Sequence, residues 1–246
     1  MQRFMASIVI ALGVTVLVAN GSAQQPAGGG RGGGQGRAGG PAADVAPVLV
    51  FKEAWKLPYN PANITPENRD QIRRVKPEAV TNANLELKLY GGDAAAILAT
   101  EHEGRVDLWN GMATTPIAVT LRDRARFFDL TGRARLRWII RTESLHRVFP
   151  VVKLADGTML VGEGLESGGE FVQQDVAFNT RNWYRLEPKT VTTTGQVENP
   201  DFSRVDEIGW ADLSPGGGHN SAGWTNVSHI ELWGKTVPRG GSNELP

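Results

Sequence analysis

The residues best suited to ligand chemistry in this 246-residue sequence lie near its C-terminal end. The segment 214–224 reads SPGGGHNSAGW and combines a run of glycines with His219, Asn220 and Trp224. An indole offers an apolar face, while imidazole, amide and backbone groups offer hydrogen bonds, so this loop has the parts needed to hold a polar, ring-shaped ligand. The alternative is that the glycines only shape a long hairpin and that Trp224 packs at its base.

A second group of polar candidates lies on and after the predicted strand 135–141. Its arginines alternate with apolar residues, so one face of the strand is basic. Arg141, His146 and Lys153 are expected near the mouth of the following hairpin and are predicted to contact the ligand. The commoner alternative is that the arginines pair with Asp or Glu of neighbouring strands.

Seven tryptophans are many for a chain of this length. An exposed indole can stack against the C–H face of a sugar ring. We expect Trp138 and Trp183 to pack inside. Polar or glycine neighbours surround Trp109, Trp210 and Trp224, which are predicted to be more exposed. Trp210 therefore joins the predicted ligand contacts.

Motifs for catalysis are weak. Glu101-His102-Glu103 lacks the His-x-x-x-His spacing of a helical zinc site, so a solvated edge strand is the better interpretation. The absence of cysteine excludes a thiolate nucleophile or ligand and any disulfide. Carboxylates are abundant in 163–170, but a glycosidase needs one specific pair, and abundance does not identify it. No G-x-S-x-G or phosphate-binding G-x-x-x-x-G-K-[ST] motif occurs.

Strands must position these residues, because short apolar/polar alternations dominate the sequence after residue 48. Glycine-containing turn signals recur at short intervals, and no internal repeat is found. The segment 65–75, TPENRDQIRRV, alone resembles a helix, with Thr65 as its N-cap. We predict an all-β, antiparallel sandwich with one short N-terminal helix.

The ends of the chain differ from its middle. Residues 1–23 have an early cation, an apolar run too short for a membrane span and small residues at the end, and so predict a cleaved secretory signal peptide. The glycine-rich segment 24–47 predicts a flexible linker. One β-sandwich domain is predicted over 48–240, followed by a tail, 241–246. The 26 basic and 26 acidic residues argue against a nucleic-acid partner.

Several short segments occur in the order expected of strands and hairpins in one known type of sandwich: Asp129–Gly132, Arg135–Trp138, Ala155–Thr158, Asn182–Leu186, Val205–Trp210 and Ile230–Gly234. Together they resemble galactose-binding-like jelly rolls, the fold of many carbohydrate-binding modules, over about residues 85–235. The resemblance implies an antiparallel β-sandwich of jelly-roll type. Because such modules often hold a structural calcium ion, Glu53 and Glu231 are candidate ligands.

The chain as a whole also resembles secreted bacterial proteins without an assigned activity, so no catalytic residue is carried over. Secreted 3-keto-glycoside hydrolases share the sandwich architecture, but their Asn-Ser-Gly-Ile segment followed by arginine is absent.

These observations predict a secreted or periplasmic, non-catalytic carbohydrate-binding domain. Its expected partner is a glycan or another polar small ligand, and no stable membrane span is expected after signal cleavage. One alternative is a glycoside-processing enzyme, a hydrolase or lyase, with His146 or His219 as general acid or base. Another is a structural or partner-binding protein of the cell envelope. The sequence predicts neither the identity of the ligand nor the oligomeric state.

Overall fold

The structure is a computed structural model, which describes residues 46–215 and 223–240. The described strands are β1 (Val48–Glu53), β2 (Leu85–Tyr90), β3 (Leu98–His102), β4 (Arg105–Trp109), β5 (Ile117–Asp123), β6 (Arg126–Asp129), β7 (Arg135–Thr142), β8 (Phe149–Leu154), β9 (Met159–Val161), β10 (Val172–Ala177), β11 (Trp183–Glu187), β12 (Thr192–Val197), β13 (Val205–Asp212) and β14 (Thr225–Pro238). Short 3-10 turns occur at Pro61–Asn63, Pro77–Ala79 and Ala94–Ala96.

The strands form two sheets in which every pairing is antiparallel. Sheet A has the order β10-β7-β14, with β1 and the β4-β3 hairpin on the other side of β14. Sheet B runs β2-β5-β13-β8-β9-β11-β12, and β6 joins β13 to the second half of β14. Because the chain passes repeatedly from one sheet to the other, the sandwich is of jelly-roll type.

One hydrophobic core fills the space between the sheets. Strand β7 alternates buried and partly exposed residues along its whole length. Its Trp138 and Trp210 of sheet B belong to the same core and are both fully buried. Phe51 of sheet A packs against Phe128 of sheet B, with ring centroids 5.6 Å apart. The all-β, antiparallel sandwich predicted from the sequence is confirmed.

The predicted helix is much shorter than expected. The helix α1 covers Arg69–Ile72, and its N-cap is Asn68 rather than Thr65. Thr65 instead exchanges hydrogen bonds with Asn68, through its backbone N–H at 2.8 Å and its hydroxyl at 3.4 Å. This local exchange closes a turn in place of the first helical turn.

Several predictions concern other parts of the chain. The predicted signal peptide 1–23, residues 24–45 of the predicted linker and the tail 241–246 lie outside the described residues. Within 46–215 and 223–240, no helix is long and apolar enough to cross a membrane.

Candidate functional site

A two-residue turn between β3 and β4 forms the first part of the site. Glu103 and Gly104 have φ values of 52° and 75°, as a type I′ hairpin turn requires. The resulting register places Thr100 opposite Asp107. Asp107 is fully buried, and its carboxylate accepts hydrogen bonds from Thr100 Oγ1 at 2.7 Å and Asn226 Nδ2 at 2.8 Å.

His102 is the third partner of this carboxylate, with Nδ1 2.7 Å from Asp107 Oδ2. The hydrogen bond to Asp107 raises the pKa of His102, although burial and the positive charges of Arg141 and Arg73 act in the opposite direction. The side chain is 40% exposed. His102 therefore carries a positive charge at the protein surface to a higher pH than a free histidine does.

A groove of about 320 Å³ lies on the outer face of sheet A. Trp109, Asn226 and Arg141 lie side by side across β4, β14 and β7. A neighbouring residue in each of these strands belongs to the core, so the three side chains face outward. The groove is lined by Arg73, Thr100, His102, Trp109, Arg141, Trp224 and Asn226.

Two indoles meet at one side of the groove. Trp109 and Trp224 pack edge to face, with ring centroids 6.4 Å apart and planes 69° apart. Trp109 is 6% exposed, so the prediction that it is an exposed residue is wrong. A Cβ on Gly111 would lie 2.1 Å from the ring of Trp109, so the glycine gives this indole its space. Trp224 is partly exposed, so it is the more accessible of the two indoles.

Unpaired polar atoms gather at the groove. Asn226 is 1% exposed, and its Nδ2 group donates to Asp107. Its Oδ1 atom has no hydrogen-bond partner among the described residues, and the same holds for the buried Nε atoms of Arg73 and Arg141. Since buried polar groups are nearly always hydrogen-bonded, these atoms mark an incomplete network at one place.

Arg73 reaches the groove from the segment after α1. Its carbonyl oxygen accepts a hydrogen bond from the backbone N–H of Ala99 at 2.8 Å, which fixes this segment beside β3. Arg141 and Arg105 both lie over the ring of Phe171, at 5.9 and 5.2 Å from its centroid. These guanidinium groups form no ion pair with a carboxylate of the described residues.

The other arginines of β7 behave differently. Arg137 donates to Asp175 through Nε at 2.7 Å and Nη2 at 3.0 Å, and Arg135 lies 3.9 Å from the same carboxylate. The alternative considered for this basic face, pairing with acids of a neighbouring strand, therefore holds for these two residues. It does not hold for Arg141, which lines the groove as its predicted role in ligand contact requires.

Trp210 does not belong to the site. It is fully buried in the core, so the prediction that it is exposed and contacts a ligand is wrong. A Cβ on the preceding residue, Gly209, would lie 2.0 Å from the carbonyl oxygen of Val119. The glycine permits close packing of β13 against β5 and does not mark an exposed segment.

Lys153 lies in β8 of sheet B and does not line the groove. Its ammonium group donates to Glu207 Oε1 at 3.0 Å, and Tyr90 donates to Glu207 Oε2 at 2.7 Å. Burial, followed by the hydrogen bond to Glu207, raises the pKa of Tyr90 to about 12. Lys153 thus belongs to a closed polar cluster, and the structure does not bring it together with Arg141.

His146 is buried in a second network. Its Nδ1 atom lies 2.6 Å from Asp212 Oδ2, which also accepts a hydrogen bond from Asn110 Nδ2 at 2.7 Å. Asn110 Oδ1 accepts one from the backbone N–H of Thr225 at 2.6 Å. His146 is 2% exposed. The prediction that it contacts a ligand is not supported, because the imidazole is buried and does not line the groove.

The remaining predictions concern the loop 214–224 and the candidate calcium ligands Glu53 and Glu231. His219 and Asn220 lie outside the described residues, whereas Trp224 from the same predicted loop lines the groove. Glu53 is buried, and its carboxylate accepts backbone hydrogen bonds from Trp55, Thr81 and Asn82.

Glu53 and Glu231 occupy consecutive register positions between β1 and β14, so their side chains point to opposite faces of the sheet and do not share an ion. Glu231 is paired with Lys52 and His229. No group of three or more metal-ligating side chains is found among residues 46–215 and 223–240.

Several residues that line the groove or lie beneath it, His102, Asp107, Asn226 and Arg73 among them, were not predicted as ligand contacts from the sequence. His102 and Asp107 had a weak signal, because Gly104 between two alternating segments is compatible with a two-residue hairpin that would set their register. Asn226 precedes the predicted closing segment Ile230–Gly234 and had no chemical signal. Arg73 had none either, since it comes to the groove through a contact between distant segments.

No protein-family model and no curated protein significantly matches the sequence. Among solved structures, the chain is similar to the family 11 carbohydrate-binding module from Clostridium thermocellum in complex with a β-1,3-1,4-mixed-linked tetrasaccharide, with 13% identity and a TM-score of 0.38 over 66% of this chain and 95% of that one. It is also similar to the family 11 module of the cellulosomal cellulase Lic26A-Cel5E of the same organism, with 13% identity and a TM-score of 0.37 over 63% and 85% of the two chains.

An exo-β-agarase is similar at 11% identity and a TM-score of 0.36, over 67% of this chain. The match spans 24% of the agarase chain. These identities and TM-scores assign no ligand and no residue role.

Proposed function

We propose that this chain is a secreted, non-catalytic domain that binds a glycan in the groove on sheet A. The observation that carries the proposal is the position of the partly exposed indole of Trp224 beside the buried, unpaired Oδ1 atom of Asn226. The indole provides a face for the C–H surface of a sugar ring. Asn226, together with Arg73 and Arg141, provides hydrogen-bonding groups for ring substituents.

The proposed organisation of the chain follows the sequence. We propose a signal peptide at 1–23, a flexible linker at 24–47, one sandwich domain at 48–240 and a short tail at 241–246. A small groove with one exposed indole supports weak recognition, with a dissociation constant of about a micromolar or poorer.

The lining of the groove supports binding over hydrolysis. A glycosidase places two carboxylates on either side of the scissile bond, whereas no Asp or Glu of the described residues lines this groove. Asp107 lies beneath the surface and is engaged by Thr100, His102 and Asn226. One observation favours an enzyme as the second candidate: His102 and Asp107 form a partly exposed pair at the groove, as a general base requires.

The test measures binding of the full-length chain to a panel of polysaccharides and oligosaccharides, with and without calcium, and assays the same mixtures for released sugar. Trp224→Ala is compared with Trp233→Ala, which changes a partly exposed tryptophan of β14 whose ring lies against Arg135. We expect binding without release, and a loss of about tenfold or more in affinity for Trp224→Ala alone.

Equal losses in the two variants would remove the groove from the proposal. Sugar release would favour the enzyme. Absence of both binding and release would contradict the proposal and favour a structural or partner-binding protein.

A further inference from the structure

The groove on sheet A has positive charge, and its lining in the described part of the chain has no surface carboxylate. Arg73, His102 and Arg141 line it, and no Asp or Glu among residues 46–215 and 223–240 does. Three other cavities in the described part of the chain, of about 450, 470 and 250 Å³, each include a glutamate. The formal net charge of the whole chain is zero, so the excess of positive charge is a local property of this groove.

Among the described residues, the two arginines of the groove lack the carboxylate partner that Arg137 has. Arg137, four residues before Arg141 in β7, makes a two-point contact with Asp175. Arg141 and Arg73 have no such partner among the described residues, and the Nε atom of each is buried without a hydrogen bond. A partly buried guanidinium group is stabilised by an anion that offers two acceptor atoms.

Asn226 adds a second requirement for the ligand, a hydrogen-bond donor. Because its Nδ2 group donates to the Asp107 carboxylate, the orientation of the amide is fixed and Oδ1 is an acceptor. A ligand that satisfies this buried atom must carry a donor, such as a hydroxyl group. An inorganic anion without hydrogen atoms does not meet this requirement.

We propose that the ligand is an acidic saccharide, in which a sugar ring bears a carboxylate or a sulfate group. The anion lies against Arg141 and Arg73, and a ring hydroxyl donates to Asn226. The C–H face of the ring lies against Trp224. This inference rests on the proposed function and deepens it by naming the class of glycan.

The test is calorimetry of the full-length chain with five probes: oligogalacturonate, its methyl ester, a sulfated galactan oligosaccharide, a neutral galacto-oligosaccharide and sodium sulfate. We expect at least one acidic saccharide to bind about tenfold or more tightly than its neutral counterpart. The preference is expected to weaken as salt is added. Comparison of the carboxylated and sulfated probes tells which anion is recognised.

Arg141→Gln is the key variant, and Arg137→Gln is its matched control on the same strand. We expect Arg141→Gln to lose the preference for acidic probes, by about tenfold, while its thermal unfolding stays close to that of the control. Retention of the preference in Arg141→Gln, or its equal loss in both variants, would overturn the assignment of the anion to this groove.

Other outcomes separate the two proposals. Equal binding of acidic and neutral saccharides, with Trp224→Ala weakening both, would overturn the acidic-ligand inference and leave the proposed function standing. Binding of sodium sulfate as tight as that of the saccharides would also overturn the inference, because the sugar ring would then contribute nothing. If no saccharide bound, both proposals would fail.

Discussion

Two histidine–aspartate pairs have nearly the same hydrogen-bond length but very different surroundings. The Nδ1–Oδ2 distance is 2.7 Å for His102 and Asp107 and 2.6 Å for His146 and Asp212. Both carboxylates are fully buried. The His102 side chain is 40% exposed and the His146 side chain 2%.

The pair of His146 and Asp212, the sealed pair, joins chain segments. The pair of His102 and Asp107, the open pair, faces the groove. Asp212 ends β13 and binds Asn110, which in turn holds the first residue of β14. Asp107 instead binds His102 and Asn226, which both line the groove, through hydrogen bonds. The same kind of residue pair therefore joins buried strand ends in one place and positions groove-lining side chains in the other.

The largest expected effect comes from breaking the sealed pair. Asp212→Ala deprives Asn110 and His146 of a buried acceptor and is expected to lower the free energy of unfolding by about 3–5 kcal/mol in urea denaturation. The control is Asp175→Ala, which breaks a more exposed pair with Arg137 and is expected to cost at most about 1 kcal/mol. Similar small losses in both variants would show that the sealed pair does not hold the strands together.

Gly111→Ala tests whether Trp109 shapes the groove beside the open pair. The added Cβ would lie 2.1 Å from the Trp109 ring, so the indole must move and the edge of the groove with it. We expect a stability loss of about 1–3 kcal/mol, together with weaker glycan binding. The control is Gly195→Ala, whose Cβ meets nothing within 4 Å. Unchanged glycan binding by Gly111→Ala would show that Trp109 does not shape the site.

The open pair also predicts a dependence on pH. The folded-state pKa of His102 is raised by its bond to Asp107. The stabilisation is therefore fully present below the unfolded-state pKa and is lost as the pH rises through the higher folded-state value. Urea unfolding from about pH 5 to about pH 9 is expected to show a difference between wild type and His102→Gln that shrinks as the pH rises. A difference that grows with pH would contradict the assigned charge.

The smallest effect on stability at neutral pH concerns the closed polar cluster of Tyr90, Lys153 and Glu207 in sheet B. The pKa of the Tyr90 phenol is raised to about 12, so stability linked to its proton is present below 10.0, the usual value, and is lost as the pH rises through about 12. Absorbance titration of phenolate should show one tyrosine with a midpoint near pH 12 that is missing in Tyr90→Phe. The same curve in both proteins would mean that this cluster is not closed to solvent.

Local patterns in the sequence predicted much of the fold. The alternation of Leu136, Trp138 and Ile140 predicted a strand with one buried face, and all three are fully buried. The Asp156-Gly157 pair predicted a hairpin, which is the turn between β8 and β9. Such patterns succeed because period-two burial and turn conformation depend on residues close together in the chain.

Local sequence patterns predicted less of the candidate site, because the site depends on contacts between distant segments. Gly209 made Trp210 look exposed, although the glycine serves the close approach of two strands. Arg73 reaches the groove through the contact of its segment with Ala99. Trp224 and Arg141 were predicted as ligand contacts, but their neighbourhood follows from the pairing of β14 with β7, which no local pattern reveals.

The most direct test of the central claim locates the ligand by nuclear magnetic resonance of the indole N–H groups in the full-length chain. Oligogalacturonate and a neutral galacto-oligosaccharide are added in turn. We expect shifts for Trp224 and Trp109, which line the groove, and none for the buried Trp138 and Trp210. Shifts confined to Trp183, which borders another cavity, would contradict the claim and place the ligand there.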